Sequence, residues 1–242
     1  MLRAIALLLL VPGLAQAESA PEPSMHGRAE AALARLAPNA KLERVQPSAA
    51  KGMLELVVDG RVLYLSADGR HLFQGELFDA AEANNLTEHT RTALRQAGIA
   101  GLPQATRIRF APAAPTHEVT VFTAIDCGYC RRFHQEIESF VDAGIAVNYV
   151  LIPLGGPGSA ADQASKQVHC AANPQQAFTA ATLGQALESR VECPSPYQAG
   201  IDLALRLGIS NTPTLVGPGG ELLGGYMSAK DLLARLEPAA RP

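Results

Sequence analysis

Apolar and polar positions alternate or recur at helical spacing through the second half of the chain. Residues 118–123 and 145–152 are rich in β-branched and aromatic side chains, which is typical of buried strands. Between them, Phe133, Ile137 and Phe140 recur at helical spacing. The other predicted elements are a strand, two helical stretches, a hairpin and a closing helix, at residues 106–110, 160–191, 196–207, 214–224 and 229–236. This order predicts a small α/β sandwich.

The first half of the chain has a different pattern. Residues 25–36 predict an Ala-rich amphipathic helix that stops before Pro38. Three short apolar runs follow, separated by Asp-Gly dipeptides at 59–60 and 68–69, which favour tight hairpins. The predicted strands are residues 53–58, 62–65 and 71–75. A meander with one helix is marginal as a solitary domain, so we expect it to pair with a copy of itself.

A connector joins these two halves. Residues 79–85 are weakly patterned, whereas residues 86–97 contain helix formers, with Thr87 as a candidate N-cap and an end near Gly98. The sequence therefore predicts a helical linker, although a loop is the alternative. Together the halves predict a mixed α+β and α/β chain. Its predicted domains are a dimerisation domain, the linker and the α/β domain, at residues 18–78, 79–103 and 104–242.

The first 17 residues predict an export signal. Met1–Arg3 is a short positive region, Ala4–Leu14 is an apolar run, and Ala15–Ala17 is a small-x-small cleavage site. The apolar run is too short to span a bilayer. A retained anchor or a buried N-terminal helix is the alternative. Export would place the protein in an oxidising compartment, where disulfides persist.

Four cysteines supply the candidate chemistry. Cys127 and Cys130 stand where a predicted strand gives way to a helix, so they share the first helical turn and lie close enough for a disulfide. The free amides and positive dipole of that turn favour a thiolate at Cys127. Four cysteines allow three pairings, and the local pair leaves Cys170 with Cys193. The sequence predicts one exchangeable dithiol and one structural disulfide.

Two other interpretations of Cys127 and Cys130 stay open. In the first, the pair would supply two of the four ligands that zinc needs. The other two cysteines are far apart, and no His pair stands at ligand spacing. We therefore expect no metal. The second alternative is a merely structural disulfide. The charge balance of 20 Lys and Arg against 23 Asp and Glu gives no electrostatic argument for nucleic acid.

The motifs resemble those of the DsbC/DsbG family of periplasmic thiol:disulfide interchange proteins. Residues 122–130, Phe-Thr-Ala-Ile-Asp-Cys-Gly-Tyr-Cys, resemble the family's active-site strand and helix start. Residues 208–214, Gly-Ile-Ser-Asn-Thr-Pro-Thr, are similar to its cis-proline loop. The segments that resemble its N-terminal dimerisation domain are residues 46–48, 62–65 and 68–75. The resemblance covers residues 25–240 in order, so it is more specific than a lone C-x-x-C.

The resemblance implies a V-shaped homodimer in which two thioredoxin-fold domains share an N-terminal platform and face an apolar cleft for unfolded substrate. It implies a periplasmic disulfide isomerase and reductase without a cofactor. The implied partners are misoxidised or unfolded exported proteins and a DsbD-like membrane reductase, with no nucleic acid. Two alternatives remain, a DsbG-like reductase that protects single cysteines and a dimeric holdase chaperone with incidental thiols. Cys170 and Cys193 match the family's second, structural bridge.

The resemblance also carries over roles residue by residue. Cys127 is the expected nucleophile, and Cys130 is the expected resolving thiol. The expected active-site neighbours are Gly128, Tyr129, Thr212 and Pro213. Gly128 and Tyr129 would set the redox poise. Pro213 is expected to be cis on the resemblance alone, with the Thr212 backbone facing the cysteines.

Two residues beside the cysteines depart from the family pattern. The family more often has an uncharged residue where Asp126 stands, and a carboxylate there would raise the thiol pKa, whereas Arg131 and Arg132 would lower it. The net direction is left open. Arg131 replaces a common histidine, so no proton shuttle is expected there. His134 and His169 are expected to be packing or surface residues.

Overall fold

The computed structural model describes residues 24–187, 193 and 196–237. The predicted export signal, residues 1–17, lies outside the described residues. The N-terminal unit is one helix against a four-stranded antiparallel sheet in the order β1-β2-β3-β4. Its elements are α1 (Met25–Leu36), β1 (Leu42–Pro47), β2 (Met53–Val58), β3 (Arg61–Ser66) and β4 (Leu72–Phe73).

Helix α1 covers one face of this sheet. Its N-cap is Ser24, whose hydroxyl accepts a hydrogen bond from a first-turn amide at 3.1 Å. The buried side of α1 presents Ala29 and Leu33 to apolar residues of β2 and β3. Asp59 and Gly60, in the turn between these strands, both have positive φ, which the tight hairpin predicted for Asp-Gly requires.

Strand β1 was not predicted, and β4 is shorter than the predicted 71–75. Both are edge strands, because β1 pairs only with β2 and β4 only with β3 in the described sheet. The positions of β1 are half-buried or exposed, and its register shifts near Leu42. An edge strand ending in Pro47 lacks the apolar alternation that marks a buried strand.

A short hairpin and a long helix connect the two units. Residues 79–85, predicted to be weakly patterned, contain most of a two-stranded ladder. The elements of this region are β5 (Phe78–Asp79), β6 (Asn84–Asn85), α2 (Leu86–Ala100) and a 3₁₀ turn (Gln104–Thr106). The helix predicted at residues 86–97 is therefore present and ends later, at Ala100.

The predicted ends of α2 were wrong. Asn85 rather than Thr87 is the N-cap, and its side chain accepts a hydrogen bond from a first-turn amide at 3.0 Å. Thr87 is instead buried inside the first turn, 2.6 Å from the hydroxyl of Tyr64. The helix does not end at Gly98. A Cβ at this position would overlap Leu203, so the glycine allows α2 to pack closely against that residue. Tertiary contacts thus override both local signals.

Helix α2 also docks on the C-terminal unit. Arg95 is buried and donates Nε–H to the carbonyl of Gly220 at 2.6 Å, while its other end pairs with Glu88. Gly220 has a φ of +87°, and a Cβ there would overlap the Thr92 carbonyl. The linker helix is therefore fixed against the turn that follows β10.

The C-terminal unit is built on a five-stranded sheet in the order β11-β10-β8-β9-β7. β8 and β9 are parallel, and the other pairs are antiparallel. The strands are β7 (Ile108–Phe110), β8 (His117–Thr123), β9 (Ile145–Leu151), β10 (Thr214–Val216) and β11 (Leu222–Gly224). The helices are α3 (Gly128–Gln135), α4 (Ile137–Asp142), α5 (Ala160–Cys170), α6 (Pro174–Thr182), α7 (Tyr197–Arg206) and α8 (Ala229–Leu236).

Helices cover both faces of this sheet. Val121 and Tyr149 point into the main core with residues of α3, α4, α6 and α8. Phe122 and Val150, their neighbours in β8 and β9, point to the opposite face against Leu203 of α7. Both central strands are therefore buried on both sides. The predicted α/β sandwich is confirmed.

The helix predicted after the cysteines is two helices, α3 and α4. Glu136 ends the first and caps the second with a backbone that is not helical. Phe133, Ile137 and Phe140 nevertheless lie on one buried side, as their spacing predicts. The break leaves the first two turns, which carry the cysteines, at the carboxyl end of β8.

Candidate active site

Cys127 lies at the N-terminus of α3, directly after the central strand β8. It is the N-cap residue, and its Sγ accepts a hydrogen bond from the backbone amide of Cys130 at 3.4 Å. Cys127 is 8% exposed and Cys130 is 2% exposed, and both pack on Ala124. Both are free thiols. The first sulfur is thus the more accessible one, and the second is shielded.

The loop before β10 faces the first cysteine. β10 pairs with β8 in antiparallel register, with Thr214 opposite Phe122, so the loop before β10 lies beside the residues after β8. The Thr212–Pro213 peptide bond is cis. The Cys127 thiol donates to the Thr212 carbonyl at 3.3 Å. The sheet therefore brings together residues that are far apart in sequence.

The environments of the two thiols move their pKa values apart. Burial raises the pKa of Cys127, but hydrogen bonds from the side chains of Cys130 and Thr212, and then from the backbone amides of Cys130 and Tyr129, outweigh it, so the net pKa is lowered. Burial, and then the hydrogen bond to Cys127, raises the pKa of Cys130 to about 11. Asp126 is exposed. The direction that the sequence left open is downward for Cys127.

Alkylation of the reduced protein should separate the two thiols. We expect iodoacetamide to modify Cys127 with a pKa below 9, because hydrogen bonds favour its thiolate, and to modify Cys130 only as the pH approaches about 11. The measurement is the alkylation rate at each cysteine by peptide mass mapping across pH. In Cys127→Ala the remaining site should keep its slow reaction at neutral pH. Faster modification of Cys130 than of Cys127 at neutral pH would contradict this order.

Tyr129, between the two cysteines, lies near Tyr226, and only Tyr129 was predicted as a neighbour of the site. Tyr129 is 65% exposed, and its ring centroid is 6.3 Å from that of Tyr226. The guanidinium of Arg132 lies 4.8 Å from the centre of the Tyr226 ring, and the Tyr226 hydroxyl donates to Glu136 at 2.7 Å. Arg131 is engaged elsewhere, with its Nε–H on the Thr182 carbonyl. Tyr226 follows β11, and nothing in its local sequence indicates that the hairpin returns it to the cysteines.

His134 is buried one helical turn beyond Cys130. The Thr179 hydroxyl donates to a backbone carbonyl of its own helix, so it accepts the Nε2–H of His134 at 2.9 Å. The Nδ1 atom then accepts the Tyr149 hydroxyl at 3.3 Å. Burial lowers the pKa of His134 to about 4, so the ring is neutral at pH 7. This arrangement fits the packing role expected from the sequence.

We expect His134 to make the folded protein less stable as the pH falls from about 6.5 towards 4. Over that range the unfolded chain binds a proton that the folded protein does not, because the pKa falls from 6.5 to about 4 on folding. The free energy of unfolding should then decrease by up to about 1.4 kcal/mol per pH unit. Urea unfolding between pH 7 and 4.5 measures this slope.

A matched pair of variants isolates the contribution of that one group. The slope should be shallower in His134→Gln than in the wild type. His89 is exposed on α2, so His89→Gln should keep the wild-type slope. Equal slopes in wild type and His134→Gln would show that this ring does not carry the effect.

The remaining two cysteines form a disulfide. Cys170 at the end of α5 is bonded to Cys193, with their Cα atoms 5.7 Å apart. This is the pairing expected from the sequence. His169, next to the bridge, bonds to the backbone carbonyls of Ser165 and Thr106. Burial lowers the pKa of His169, although these two hydrogen bonds act in the opposite direction.

Two further observations concern only the described parts of the chain. In residues 24–187, 193 and 196–237, no three His, Cys, Asp or Glu side chains are grouped so as to hold a metal ion. Within the same residues, no helix has both the length and the apolar character needed to cross a bilayer.

A shielded pair of thiols on the first turn of a helix, opposite a cis-proline loop, defines a thiol:disulfide oxidoreductase of the thioredoxin fold. Family models agree with this class in both halves of the chain. Residues 13–88 match the disulfide bond isomerase N-terminal domain, and residues 105–240 match a thioredoxin-like domain. The predicted fold class is therefore confirmed.

Curated relatives identify the family. The chain is 31% identical over 193 residues to the thiol:disulfide interchange protein DsbC of Salmonella typhimurium, covering 80% of each chain. It is 30% identical over 192 residues to DsbC of Escherichia coli K12, covering 79% of this chain and 80% of that one. The chain belongs to the DsbC family. The predicted enzyme class, a disulfide isomerase and oxidoreductase, is confirmed with it.

A solved structure shares part of this fold. A disulfide interchange protein from Neisseria gonorrhoeae matches with a TM-score of 0.50 and 24% sequence identity. The match covers 55% of this chain and 95% of that one. At this identity the likeness shows the shared fold.

Proposed function

We propose that the Cys127 thiolate carries out disulfide isomerisation in this protein. The observation that supports the proposal is the unequal pair of thiols, with the pKa of Cys127 lowered and that of Cys130 raised to about 11. The thiolate attacks one sulfur of a substrate disulfide. That S–S bond breaks, its other sulfur leaves as a thiolate with the electron pair, and a mixed disulfide with Cys127 forms.

The mixed disulfide has two exits. In isomerisation, a second substrate thiolate attacks the substrate sulfur, which forms a new substrate disulfide and returns Cys127 as a thiolate. In reduction, Cys130 loses its proton and attacks the Cys127 sulfur, which releases the reduced substrate and leaves a Cys127–Cys130 disulfide. The raised pKa of Cys130 keeps it protonated at neutral pH, so the second exit is slow. The substrate therefore has time to rearrange before it is released.

The neighbours of the cysteines have supporting roles in this proposal. Gly128 and Tyr129, between the cysteines, set the redox poise of the pair. Thr212 and Pro213 present backbone groups to the substrate main chain, with the Thr212 carbonyl already 3.3 Å from the Cys127 sulfur. The Cys170–Cys193 bridge has a structural role.

The biological setting follows from the sequence expectations. Residues 1–17 direct the chain to the periplasm, and its substrates are misoxidised or unfolded exported proteins. Residues 18–78 dimerise, residues 79–103 form the linker, and residues 104–242 form the catalytic domain. A DsbD-like membrane reductase returns the Cys127–Cys130 disulfide to two thiols, since reduction of a substrate oxidises the pair.

Recovery of activity from scrambled ribonuclease tests the function. The reduced protein should restore ribonuclease activity in catalytic amounts. A reductase that protects single cysteines would instead reduce a glutathione adduct on a single-cysteine protein without restoring scrambled ribonuclease. A holdase would only suppress aggregation of a cysteine-free substrate. Either of those two results, without recovery of ribonuclease, would contradict the proposal.

Light scattering of the mature chain tests the pairing of residues 18–78. The edge strands β1 and β4 leave backbone groups available for pairing with a second copy. We expect a mass of two chains at micromolar concentration. A single-chain mass would contradict dimerisation while leaving the thiol chemistry intact.

A further inference from the structure

A series of neighbouring residues connects the nucleophile to Tyr226. Cys127 contacts the Thr212 carbonyl at 3.3 Å, and the next carbonyl, that of Pro213, lies 3.5 Å from where a Cβ on Gly225 would stand. Gly225 leads directly to Tyr226, whose ring is 6.3 Å from the ring of Tyr129. Tyr129 is two residues from Cys127. The Tyr129 backbone amide hydrogen-bonds to the Cys127 sulfur, so the helical turn that carries Tyr129 adjoins that sulfur. The Tyr129 and Tyr226 rings are here called the tyrosine ledge.

Neighbouring groups hold the Tyr226 half of this ledge in place. Its hydroxyl donates to Glu136 Oε1 at 2.7 Å, and Arg132 lies over the ring with Cζ 4.8 Å from its centre. Arg132 Nε is in turn 3.7 Å from the same Glu136 oxygen. A ring fixed in this way loses little conformational freedom when a ligand binds. The Tyr129 ring, 65% exposed beside it, supplies open aromatic surface.

We propose that the tyrosine ledge binds an aromatic or large apolar side chain two residues from the attacked cysteine of a substrate. This inference rests on the proposed function and adds a substrate class to it. In an extended substrate strand, side chains two positions apart point to the same face, about 7 Å apart. When the substrate sulfur meets Cys127, the side chain two residues away is directed at the surface next to that sulfur.

The chemistry of the ledge selects substrates that have not folded. Aromatic rings bind apolar and aromatic side chains through buried area and ring contacts. In a correctly folded protein, large apolar residues near a disulfide are mostly buried, whereas a wrongly paired chain leaves them accessible. The ledge therefore favours cysteines that lie in unfolded apolar segments.

Two glutathionylated peptides test this inference. Each has one cysteine, and they differ only in carrying Phe or Ser at both positions two residues from it. In the reduced Cys130→Ala protein the Cys127 thiolate attacks the peptide sulfur, the peptide–glutathione S–S bond breaks, and glutathione leaves as a thiolate. The rate at which the peptide adduct forms is followed by mass spectrometry. We expect the Phe peptide to react about fivefold faster, the effect of one good aromatic contact.

Variants of the ledge make the assignment specific. Tyr226→Ala should bring the ratio of the two rates close to one, and Tyr226→Phe should restore it, because the ring and not the hydroxyl makes the contact. Leu222→Ala is the matched control. Leu222 is half-exposed and begins β11, whereas Tyr226 follows the other end of that strand. That variant should keep the full ratio.

The outcomes separate the inference from the proposed function. Adducts with both peptides at equal rates, or a ratio unchanged in Tyr226→Ala, would overturn the inference and leave the thiol chemistry standing. A change in the oligomeric mass of Tyr226→Ala would assign the ledge to contacts between copies of the chain and would also overturn it. The absence of any adduct of Cys127, with either peptide or with glutathione, would contradict the proposed function itself.

Discussion

Replacing Cys127 by alanine should reduce the recovery of scrambled ribonuclease to the rate seen without protein. Every step of the proposed reaction begins with the thiolate at position 127, and Cys130 has neither its exposure nor its lowered pKa. Burial, the largest cause of the raised pKa of Cys130, is still present when Cys127 is removed, so little of this thiol is ionised at neutral pH. The remaining cysteine therefore cannot take over. The measurement is the initial rate of ribonuclease reactivation.

The matched variant is Cys130→Ala. It removes the slow second exit but leaves the attacking thiolate, so it should retain isomerisation wherever a substrate thiol resolves the mixed disulfide. It should also accumulate adducts when no such thiol is near. A Cys127→Ala protein that restores ribonuclease as well as the wild type would show that the thiols are incidental, as in a holdase.

Replacing Cys170 and Cys193 together by serine should lower the free energy of unfolding by about 3 kcal/mol. The bridge closes a loop with a sequence separation of 23 residues, and the chain-entropy model assigns about this value to a loop of that length. It ties the end of α5 to a residue close before α7, on the other side of α6. The difference is measured by guanidinium unfolding, with Cys127 and Cys130 reduced and the Cys170–Cys193 bridge of the wild type intact.

The control for this measurement is Cys127→Ser with Cys130→Ser. That pair is already a free dithiol in the folded protein, so replacing it removes no cross-link and should change the free energy of unfolding much less. Refolded Cys170→Ser, Cys193→Ser protein should still isomerise ribonuclease at temperatures where it is folded. A loss of stability no larger than that of the control would show that the bridge has another purpose.

The position of the dithiol could be predicted because its signals are local. The β-branched run at 118–123 and the helical spacing of Phe133 and Ile137 each belong to one element, so their boundary falls at Cys127 without any knowledge of the fold. The β-branched and aromatic residues of 145–152 likewise predict the buried strand β9. The same local reading placed both hairpin strands β10 and β11 correctly.

Features that depend on distant contacts could not be predicted. Tyr226 reaches the site only because β11 returns antiparallel to β10. Tyr149 lies beside His134 because β9 is parallel to β8, and a buried ring on a strand has the same sequence pattern as any core residue. Thr87 is a good N-cap by type, yet its hydroxyl is used by Tyr64 instead. In each case tertiary packing decides the role of the residue.

The direction of the Cys127 pKa shows the same limit at the site itself. From sequence, Asp126 opposes Arg131 and Arg132, and charges alone give no net sign. In the folded protein hydrogen bonds decide it, first from the side chains of Cys130 and Thr212 and then from the backbone amides of the first helical turn. Thr212 is 85 residues away along the chain, and only the pairing of β10 with β8 brings it to Cys127.

Trapping the covalent intermediate tests the central claim most directly. The reduced Cys130→Ala protein is incubated with scrambled ribonuclease, free thiols are blocked with iodoacetamide, and the cross-linked species is digested and mapped by mass spectrometry. The account predicts a disulfide between Cys127 and ribonuclease cysteines, with Cys170 still bonded to Cys193. An adduct carried by Cys170 or Cys193, or the absence of any covalent adduct while isomerisation proceeds, would contradict it.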